Sequence, residues 1–475
     1  MFSRIFQFSM RLKGASYAYM SNGKRGMRMG EHRGTFSGKL GFVLAAAGSA
    51  VGLGNIWRFP YLAARYGGGI FLLVYLALAI TFGFSLMTME IAIGRKTGQS
   101  AIGAFHQLQP KYAFIGRLIA VVPYLIMPYY CVVGGWVIKY LVASLSEGVG
   151  VLARGDYFDG YITQTGQPLL FFGIFLGLTA LTVLFGVEKG IEKVSKWLMP
   201  VLVLLNLVVV VYVLTLPGAM EGVIYYLKPD FRRFSVKTVL AAMGQLFYSM
   251  SLSMGTMIAF GSYMQKNVNI HTAVRQIEWF DTGIAFLSGL IVVPAVFAVS
   301  GAQDLETGSG LMFVTLPQVF AGMTGGPLLC VLFFALVLLA ALTSSIAMME
   351  TAVAAVQDRF HWGRPPTCLV VVVITVLLGV PSSLGNGAWR HIQPFGLSLL
   401  DFFDFVGNNI LMPIVSLLTC LFVGYVLGPQ VLVEEARLQK REAVLFRVVI
   451  RYVAPLFIVL ILISSLLDAL NISSL

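Results

Sequence analysis

The stretch GSAVGLGNIWRFP, residues 48–60, interrupts an apolar run that is otherwise long enough to cross a membrane as one helix. Three glycines and a serine fall within its first seven residues. Glycine in a helix interior costs about 1 kcal/mol relative to alanine, and a backbone group without a partner in lipid costs several kcal/mol more. The stretch therefore predicts a membrane helix that unwinds near its middle, where the freed backbone groups find other partners.

The amino-acid composition is that of a membrane protein. Of the 475 residues, 58% are hydrophobic and only 11% are charged, whereas an ordinary soluble domain carries about 25% charged residues. Apolar runs long enough to cross about 30 Å of hydrocarbon as a helix recur along the chain. We therefore predict an all-α polytopic membrane protein.

Eleven apolar segments are predicted to span the membrane. They lie at residues 40–66, 69–94, 114–146, 167–186, 191–214, 238–264, 274–300, 325–357, 366–385, 395–427 and 446–470. The sixth contains a second interruption, QLFYSMSLSMGTM at residues 245–257. Interrupted helices in corresponding halves of a chain are typical of transporters built from inverted repeats, in which the binding site lies at the level of the breaks.

The formal net charge of +12 is concentrated in the N-terminal tail. Residues 1–39 hold eight basic residues against one acid, Glu31, and so contribute +7 of it. Positive charge beside a first span indicates a cytoplasmic N-terminus rather than a nucleic-acid partner. The loop at 94–117 is also basic and the loop at 146–160 is net acidic, which agrees with this orientation.

Three motifs carry a resemblance to a known family. GFVLAAAGSAVGLGNIWRFPYLAARYGGG, MEIAIGRKTG and ALTSSIAMM, in this order, resemble signatures of the neurotransmitter:sodium symporter family, and the likeness covers about residues 33–470. The resemblance implies two five-helix inverted repeats, at 40–214 and 238–427, with an additional helix at 446–470. It also implies transport of small amines or amino acids together with sodium ions. The eleven-span length resembles the bacterial members, which suggests the cytoplasmic membrane of a bacterium.

The resemblance implies two sodium sites at the breaks. One would consist of backbone carbonyls and hydroxyls at Gly48, Val51, Ala340, Thr343 and Ser344. The other would consist of groups at Ala50, Asn55, Ser249 and Asp281, completed by the carboxylate of the substrate. Oxygen ligands of this kind suit a hard cation. Hydroxyls in membrane helices also bond back to a carbonyl one turn earlier, and the sequence leaves that alternative open.

The predicted requirement for sodium and chloride depends on the position of one acid, Asp281. Counted back from the Ser288–Gly289 pair, it falls where the family places a sodium-binding asparagine. A register set by Pro294 would place Phe280 there instead. A further alternative is that Asp281 lies at the cytoplasmic water boundary.

Chloride is not expected as a co-substrate. Chloride-dependent relatives hold the anion with a tyrosine, a glutamine and hydroxyls, and Tyr75, Gln245 and Ser249 match some of these. One turn after Asp281, where those relatives have a serine, this chain has Ala285. A fixed carboxylate at residue 281 would supply the negative charge itself.

The same resemblance implies the substrate contacts. They are Ser49, Ala50, Leu53, Gly54, Ile126, Tyr130, Tyr248, Ser249, Ser251, Met254, Ser344 and Met348. Monoamine carriers of the family have an acid where this chain has Gly52, so the substrate should bring its own carboxylate. The residues expected around its side chain include no charge, which disfavours a charged side chain. We expect a neutral, hydrophobic L-amino acid.

Two gates and a support residue follow from the resemblance. The outer gate would consist of Arg58, Asp404, Tyr130 and Tyr248. The inner gate would consist of Arg33, Phe36, Ser262, Tyr263 and Asp358. Gly190 and Pro200 match a Gly-x9-Pro spacing with which some bacterial relatives unwind the cytoplasmic end of helix five. Glu90 would brace the unwound backbone, or else would be an interfacial acid beside Arg95.

The expected function is sodium-coupled import of an amino acid by alternating access, with two sodium ions. An enzyme is not expected, because the sequence has no HExxH, GxSxG or P-loop motif. A channel would need a pore lined by repeated charges or carbonyls. A non-transporting amino-acid sensor on the same fold would keep the same motifs. So would a proton-coupled variant with Asp281 or Glu90 as the carrier.

Overall fold

A computed structural model of the chain describes residues 34–300 and 310–469. Residues 1–33, which include Arg33 and most of the basic tail, lie outside the described residues. Nine helices of the described part are long and apolar enough to cross a membrane, and a tenth span is a helix pair bent by 57°. The remaining predicted span, the sixth, is also a broken pair. The multi-pass helical fold is therefore confirmed.

The spans are labelled α1 to α11 in chain order. Their bounds are Lys39–Ala50 (α1a) and Gly54–Arg65 (α1b), Gly69–Thr97 (α2), Pro110–Ser146 (α3), Gly166–Leu184 (α4), Val187–Leu214 (α5), Val236–Ser249 (α6a) and Thr256–Ser262 (α6b), Ile270–Ala298 (α7), Gly326–Phe360 (α8), Arg364–Leu384 (α9), Leu399–Leu427 (α10) and Lys440–Leu467 (α11). Short helices connect several of them, at Ala101–Leu108, Ala219–Leu227 and Gln430–Ala436.

Several helices begin in polar sequence that the span prediction left out. α7 begins at Ile270 rather than at 274, and α11 begins at Lys440 rather than at 446. At α11 the signal is a capping box, in which the Gln439 side chain and the Glu442 carboxylate each accept a backbone N–H of the other's residue. α10 begins later than predicted, at Leu399, because Ser398 caps it by accepting the Asp401 N–H at 3.1 Å.

The break in α1 is held by its own asparagine. Val51 is extended after the last turn of α1a, and the chain resumes as a π-helical turn at Gly54–Arg58. The Gly52 N–H donates to Asn55 Oδ1 at 3.1 Å, and the Asn55 N–H donates to the Gly52 carbonyl at 3.2 Å. These two bonds satisfy backbone groups that the break leaves without helical partners.

The break in α6 is more strained. Ser251 and Ser253 have φ values of 50° and 64°, and Gly255 has a φ of 78°. A left-handed conformation costs a residue with a side chain of order 1–3 kcal/mol, and such residues cluster at functional sites. Tertiary hydrogen bonds support both serines: Ser253 N–H donates to Glu90 Oε1 at 2.6 Å, and Ser251 Oγ donates to the Ser49 carbonyl at 2.9 Å.

Glycines bring α2 close to α6b. A Cβ at Gly94 would overlap the backbone of Ile258, and a Cβ at Gly261 would overlap the backbone of Ile91. Small residues at a helix crossing allow two membrane helices to approach this closely. The crossing lies one turn beyond Glu90 and so positions its carboxylate beside the break in α6.

Candidate functional site: a cavity between the two breaks

The two breaks enclose a cavity. Its lining is Ser49, Ala50, Gly52, Leu53, Gly54, Asn55, Ile126, Tyr130, Tyr248, Ser249, Ser251, Met254, Ser344 and Met348. All twelve residues predicted to contact substrate are in this set, joined by Gly52 and Asn55. The structure therefore brings these residues together from α1, α3, α6 and α8. Their role in binding stays a prediction.

There is no room for a side chain at residue 52. A Cβ on Gly52 would lie 2.7 Å from Ser344 Oγ and 3.1 Å from Tyr130 Oη. The neighbouring Leu53 N–H points to the Tyr130 hydroxyl at 3.5 Å. An acid at residue 52 would have to displace these groups, so the glycine and its exposed backbone are part of the site's shape.

The five groups predicted for one sodium site lie together. Ser344 Oγ lies 3.3, 3.1 and 3.0 Å from the carbonyl oxygens of Gly48, Ser49 and Val51, which share its single proton. Thr343 Oγ1 donates to the Ala340 carbonyl at 3.0 Å. The Thr343 bond is the local back-bond that membrane helices often contain. The Ser344 hydroxyl instead crosses from α8 to the break in α1, which a local back-bond does not explain.

The groups predicted for the other sodium site also meet. Asn55 Nδ2 donates to Ser249 Oγ at 2.9 Å and to Asp281 Oδ1 at 2.7 Å. Ser249 Oγ donates to the same carboxylate oxygen at 2.8 Å. All three side chains are buried. The fourth predicted residue, Ala50, lines the adjoining cavity.

The Asp281 side chain is buried within the helix bundle. It is 0% exposed, so the water-boundary alternative is wrong. Phe280 is only partly buried and packs at the edge of the core, which disfavours the alternative register. Tyr75 Oη donates to the second oxygen, Asp281 Oδ2, at 3.4 Å. The Asp281 carboxyl group thus lies where the hydroxyls of Tyr75 and Ser249 converge, and Ala285 is buried without a polar group.

The sequence profile of the sodium:neurotransmitter symporter family matches residues 33–152 and 157–473. The chain belongs to the sodium:neurotransmitter symporter family. It is accordingly a sodium-coupled membrane transporter of a small molecule, and the proteins that it resembles are transporters rather than enzymes.

Individual relatives agree with the family. The sodium-dependent transporter YhdH of Bacillus subtilis (strain 168) is 35% identical over 438 residues, which make up 90% of this chain and 97% of YhdH. A sodium-dependent transporter of Haemophilus influenzae is 33% identical over 455 residues, 92% of this chain and 99% of the relative. The crystal structure of MhsT in complex with L-phenylalanine matches with a TM-score of 0.82 at 34% identity, and covers 91% of this chain and 100% of MhsT.

At the outer gate predicted for this symporter, Arg58 and Asp404 do not form a direct ion pair. No ion pair within 4.0 Å joins these two described residues. The Arg58 guanidinium lies over the Tyr248 ring, 5.0 Å from its centre. Asp404 accepts instead from Asn408 Nδ2 at 2.7 Å, and the same amide donates to Tyr129 Oη at 2.9 Å. The sequence analysis did not identify Asn408 as the partner of Asp404, or Tyr129 as the partner of Asn408.

At the predicted inner gate, Phe36 is fully buried in an aromatic cluster. Its ring meets those of Phe42 and Phe260 edge-on, with centroids 5.6 Å apart in each case, and its N–H donates to the Tyr263 carbonyl at 3.2 Å. Asp358 accepts the Ser100 N–H at 2.6 Å. Ser262 Oγ donates locally, to the Ala259 carbonyl at 2.6 Å. Arg33 lies outside the described residues.

Three buried ion-pair networks near this gate were missed. Glu350 of α8, 0% exposed, accepts from Tyr263 Oη at 2.8 Å and pairs with Arg364. Arg95 of α2 pairs with Glu435 at 2.8 Å, so Glu90 is not its partner. Burial raises the pKa of Glu435, but the hydrogen bonds and positive charges of Arg95 and Lys266 outweigh it and hold that pKa below its usual range. The third network contains Glu192. Glu350 and Glu192 were visible in the sequence as acids within predicted apolar spans, but their partners were not, and Glu435 lies between two predicted spans.

Two further residues can be placed. Glu90 is 3% exposed and accepts the Ser253 N–H, so the interfacial alternative is wrong and the bracing interpretation holds. Gly190 lies in the π-helical turn Val187–Glu192 that opens α5, and Pro200 lies within the continuous helix that follows. α5 is wound throughout, and its unwinding stays a prediction.

Proposed function

We propose that this transporter imports a neutral, hydrophobic L-amino acid with two sodium ions, by alternating access and without chloride. The observation that carries the proposal is the cavity between the two breaks. It combines unwound backbone, a glycine at residue 52 where a side chain would overlap its neighbours, and an uncharged lining. The similarity to MhsT, whose structure is a complex with L-phenylalanine, supports the same substrate class.

The substrate carboxylate would lie against the break in α1. Backbone N–H groups near Leu53 and Gly54, at the first turn of α1b, are suited to an anion because they lack helical acceptors and point along the helix dipole. The Tyr130 hydroxyl, next to the Leu53 N–H, would add a side-chain donor. The glycine at residue 52 leaves the site without an acid, so it suits an amino acid better than a bare amine.

The substrate side chain would lie among residues of α3, α6 and α8. Ile126, Met254 and Met348 supply apolar surface, and methionine adapts to different shapes. The polar groups in this part of the lining are hydroxyls of Tyr248, Ser251 and Ser344. A charged side chain would be desolvated here without an opposite charge.

Sodium would bind where the structure gathers oxygen atoms on both sides of the α1 break. The site at Gly48, Val51, Ala340, Thr343 and Ser344 would tie α1 to α8. The site at Ala50, Asn55, Ser249 and Asp281 would tie α1 to α6 and α7. An ion at either position would bind more tightly to conformations in which these helices stay together than to conformations in which they separate. This difference in affinity is what allows a ligand to shift a conformational equilibrium.

The Asp281 carboxylate supports chloride independence. It already brings a negative charge to the hydroxyls of Tyr75 and Ser249. A chloride ion beside it would repel this carboxylate in a region of low dielectric. Its charge would also balance a sodium ion bound by Asn55 and Ser249.

The orientation of the transport cycle follows from the basic tail. We place residues 34–38, Tyr263 and Asp358 at the cytoplasmic side and Arg58 and Asp404 at the outer side of a bacterial cytoplasmic membrane. The two inverted repeats would be 40–214 and 238–427. Opening inward would separate α1a from α5 and α6b, aided by unwinding between Gly190 and Pro200.

The test uses purified full-length protein in liposomes. Uptake of a labelled mixture of neutral amino acids is measured under an inward sodium gradient, with potassium replacing sodium as the control and gluconate replacing chloride. Concentrative uptake that needs sodium and persists in gluconate is the expected result. Sodium-dependent binding without uptake would identify a sensor, and uptake driven by a proton gradient alone would overturn sodium coupling.

A further inference from the structure

Glu192 is a buried acid that the proposed transport cycle leaves without a role. It is the last residue of the π-helical turn that opens α5, and it is 1% exposed. π-helical turns are rare and frequently lie at functional sites. A carboxylate within a membrane-spanning helix usually has a functional role, because burying it there is costly.

The Glu192 carboxylate binds the segment that precedes α1a. Ser37 N–H donates to Oε2 at 2.8 Å, and Ser37 Oγ donates to Oε1. Lys196, one turn further along α5, pairs with Oε1 at 2.6 Å and reaches Ser37 Oγ at 3.4 Å. Three donors from two parts of the chain therefore satisfy this one carboxylate.

The first turn of α1a is shaped to fit the same group. A Cβ at Gly41 would overlap the Glu192 carboxyl, so any larger residue there would displace this carboxyl from its place against α1a. Glycine is unfavourable inside a helix by about 1 kcal/mol relative to alanine, and this close approach accounts for its presence. The segment before α1a is also close to α5 at Gly34, where an added Cβ would lie 3.4 Å from the Val187 side chain.

The same segment carries the contacts to α6b. Phe36, next to Ser37, donates its N–H to the Tyr263 carbonyl at 3.2 Å and accepts Gln265 Nε2 at 2.9 Å. Residues 36 and 37 thus join α5 on one side to the end of α6b on the other. A movement that separates α1a from α5 has to break the Glu192 contacts.

We propose that Glu192 is a positioning residue of the inner gate. Together with Ser37 and Lys196 it forms a latch that holds the N-terminal end of α1a against the start of α5. These contacts must break before the binding sites can open to the cytoplasm. The proposal rests on the alternating-access cycle proposed above. Loss of the carboxylate should shift the population toward the inward-open conformation. The shift should be about tenfold, the size expected when a hydrogen-bonded buried charge is lost.

Cysteine accessibility tests the latch without requiring a known substrate. The reporter is Met199→Cys, because Met199 is buried on α5 against Gly48 of the proposed sodium site. The full chain is placed in inside-out vesicles and its labelling rate by a membrane-impermeant cationic thiosulfonate is measured over a sodium titration. The parent chain without the reporter controls for labelling of the native cysteines.

Glu192→Gln should raise the labelling rate of the reporter cysteine about tenfold at a fixed sodium concentration. The sodium concentration that halves the labelling rate should rise by a similar factor. Ser37→Ala should act in the same direction by a smaller factor, and Glu192→Asp should restore part of the protection. Glu188→Gln is the matched control, because Glu188 lies on the same turn and is exposed. It should label like the reporter.

A merely structural role would not produce an effect that sodium reverses. If Glu192→Gln fails to fold, judged by size-exclusion chromatography, Ser37→Ala carries the test. Labelling and sodium protection of Glu192→Gln equal to those of the reporter would overturn the latch, even if the reporter protein transports. An effect of Glu192→Gln in a protein that shows no sodium-driven uptake would support the latch and reject the transport cycle.

Discussion

Replacing the Asp281 carboxylate should convert a chloride-independent transporter into one that needs an added anion. In the structure the carboxylate accepts from Asn55 and Ser249 at 2.7 and 2.8 Å and from Tyr75 at 3.4 Å. A sodium ion held by Asn55 and Ser249 would lie within about 4 Å of it, where two unit charges attract by about 4 kcal/mol at an effective dielectric constant of 20. The side-chain amide of an asparagine would retain part of this attraction through the dipole of its oxygen.

We therefore expect Asp281→Asn to lose about 2 kcal/mol of sodium binding, or about 30-fold in affinity, when gluconate is the anion. Chloride should restore part of the loss by occupying the place of the carboxylate beside Tyr75 and Ser249. The assay is sodium-dependent uptake in proteoliposomes, titrated with sodium in chloride and in gluconate.

Glu278→Gln is the control for this prediction. Glu278 is a buried acid one turn earlier in α7 and pairs with Arg275 at 3.2 Å rather than with the proposed sodium ligands. It should keep its sodium affinity within about threefold, since its charge is balanced by Arg275, and should remain indifferent to chloride. An Asp281→Asn variant with unchanged sodium affinity in gluconate would refute the reasoning.

Three further outcomes are expected. Gly52→Asp should lower uptake by more than about tenfold at an unchanged amount of folded protein, because its Cβ would lie 2.7 Å from Ser344 Oγ; normal uptake would mean that the cavity rearranges. Ser344→Ala should weaken half-saturation by sodium about tenfold, because it removes a proposed ligand, whereas Ser345→Ala, whose hydroxyl faces Thr179 at 2.8 Å, should not. Glu90→Gln should lower the free energy of unfolding in detergent by about 1–3 kcal/mol, because the buried N–H of Ser253 loses its carboxyl acceptor at 2.6 Å; an unchanged free energy of unfolding would show that the brace is dispensable.

The sequence predicted the interruptions well because their cause is local. Glycines at 48, 52 and 54 and the serine-rich run at 249–253 disfavour a continuous helix whatever surrounds them. The spans followed from apolar length in the same way. The residues around the cavity came from the resemblance to the family, and the structure brings them together from four helices.

The contacts that the sequence analysis missed join residues far apart in the chain. Ser37 and Glu192 are separated by 155 positions, and Arg95 and Glu435 by 340. No periodicity links such partners, and a charge inside an apolar span indicates only that a partner exists. The left-handed serines at 251 and 253 are similar, because only the tertiary bonds to Ser49 and Glu90 make that backbone acceptable.

The hydrogen bonds at the two proposed sodium sites also bear on how tightly an ion could bind. The carbonyls of Gly48 and Val51 already share the proton of the Ser344 hydroxyl, and the Asp281 carboxylate already accepts from Asn55 and Ser249. Sodium would therefore replace internal hydrogen bonds rather than satisfy orphaned groups, so the net gain is a difference between two favourable arrangements. Such an exchange favours moderate affinity, which a symporter needs because the ion must leave again on the side of lower concentration. A sensor that only reports its ligand has no such requirement, so weak and readily reversed sodium binding would itself favour transport.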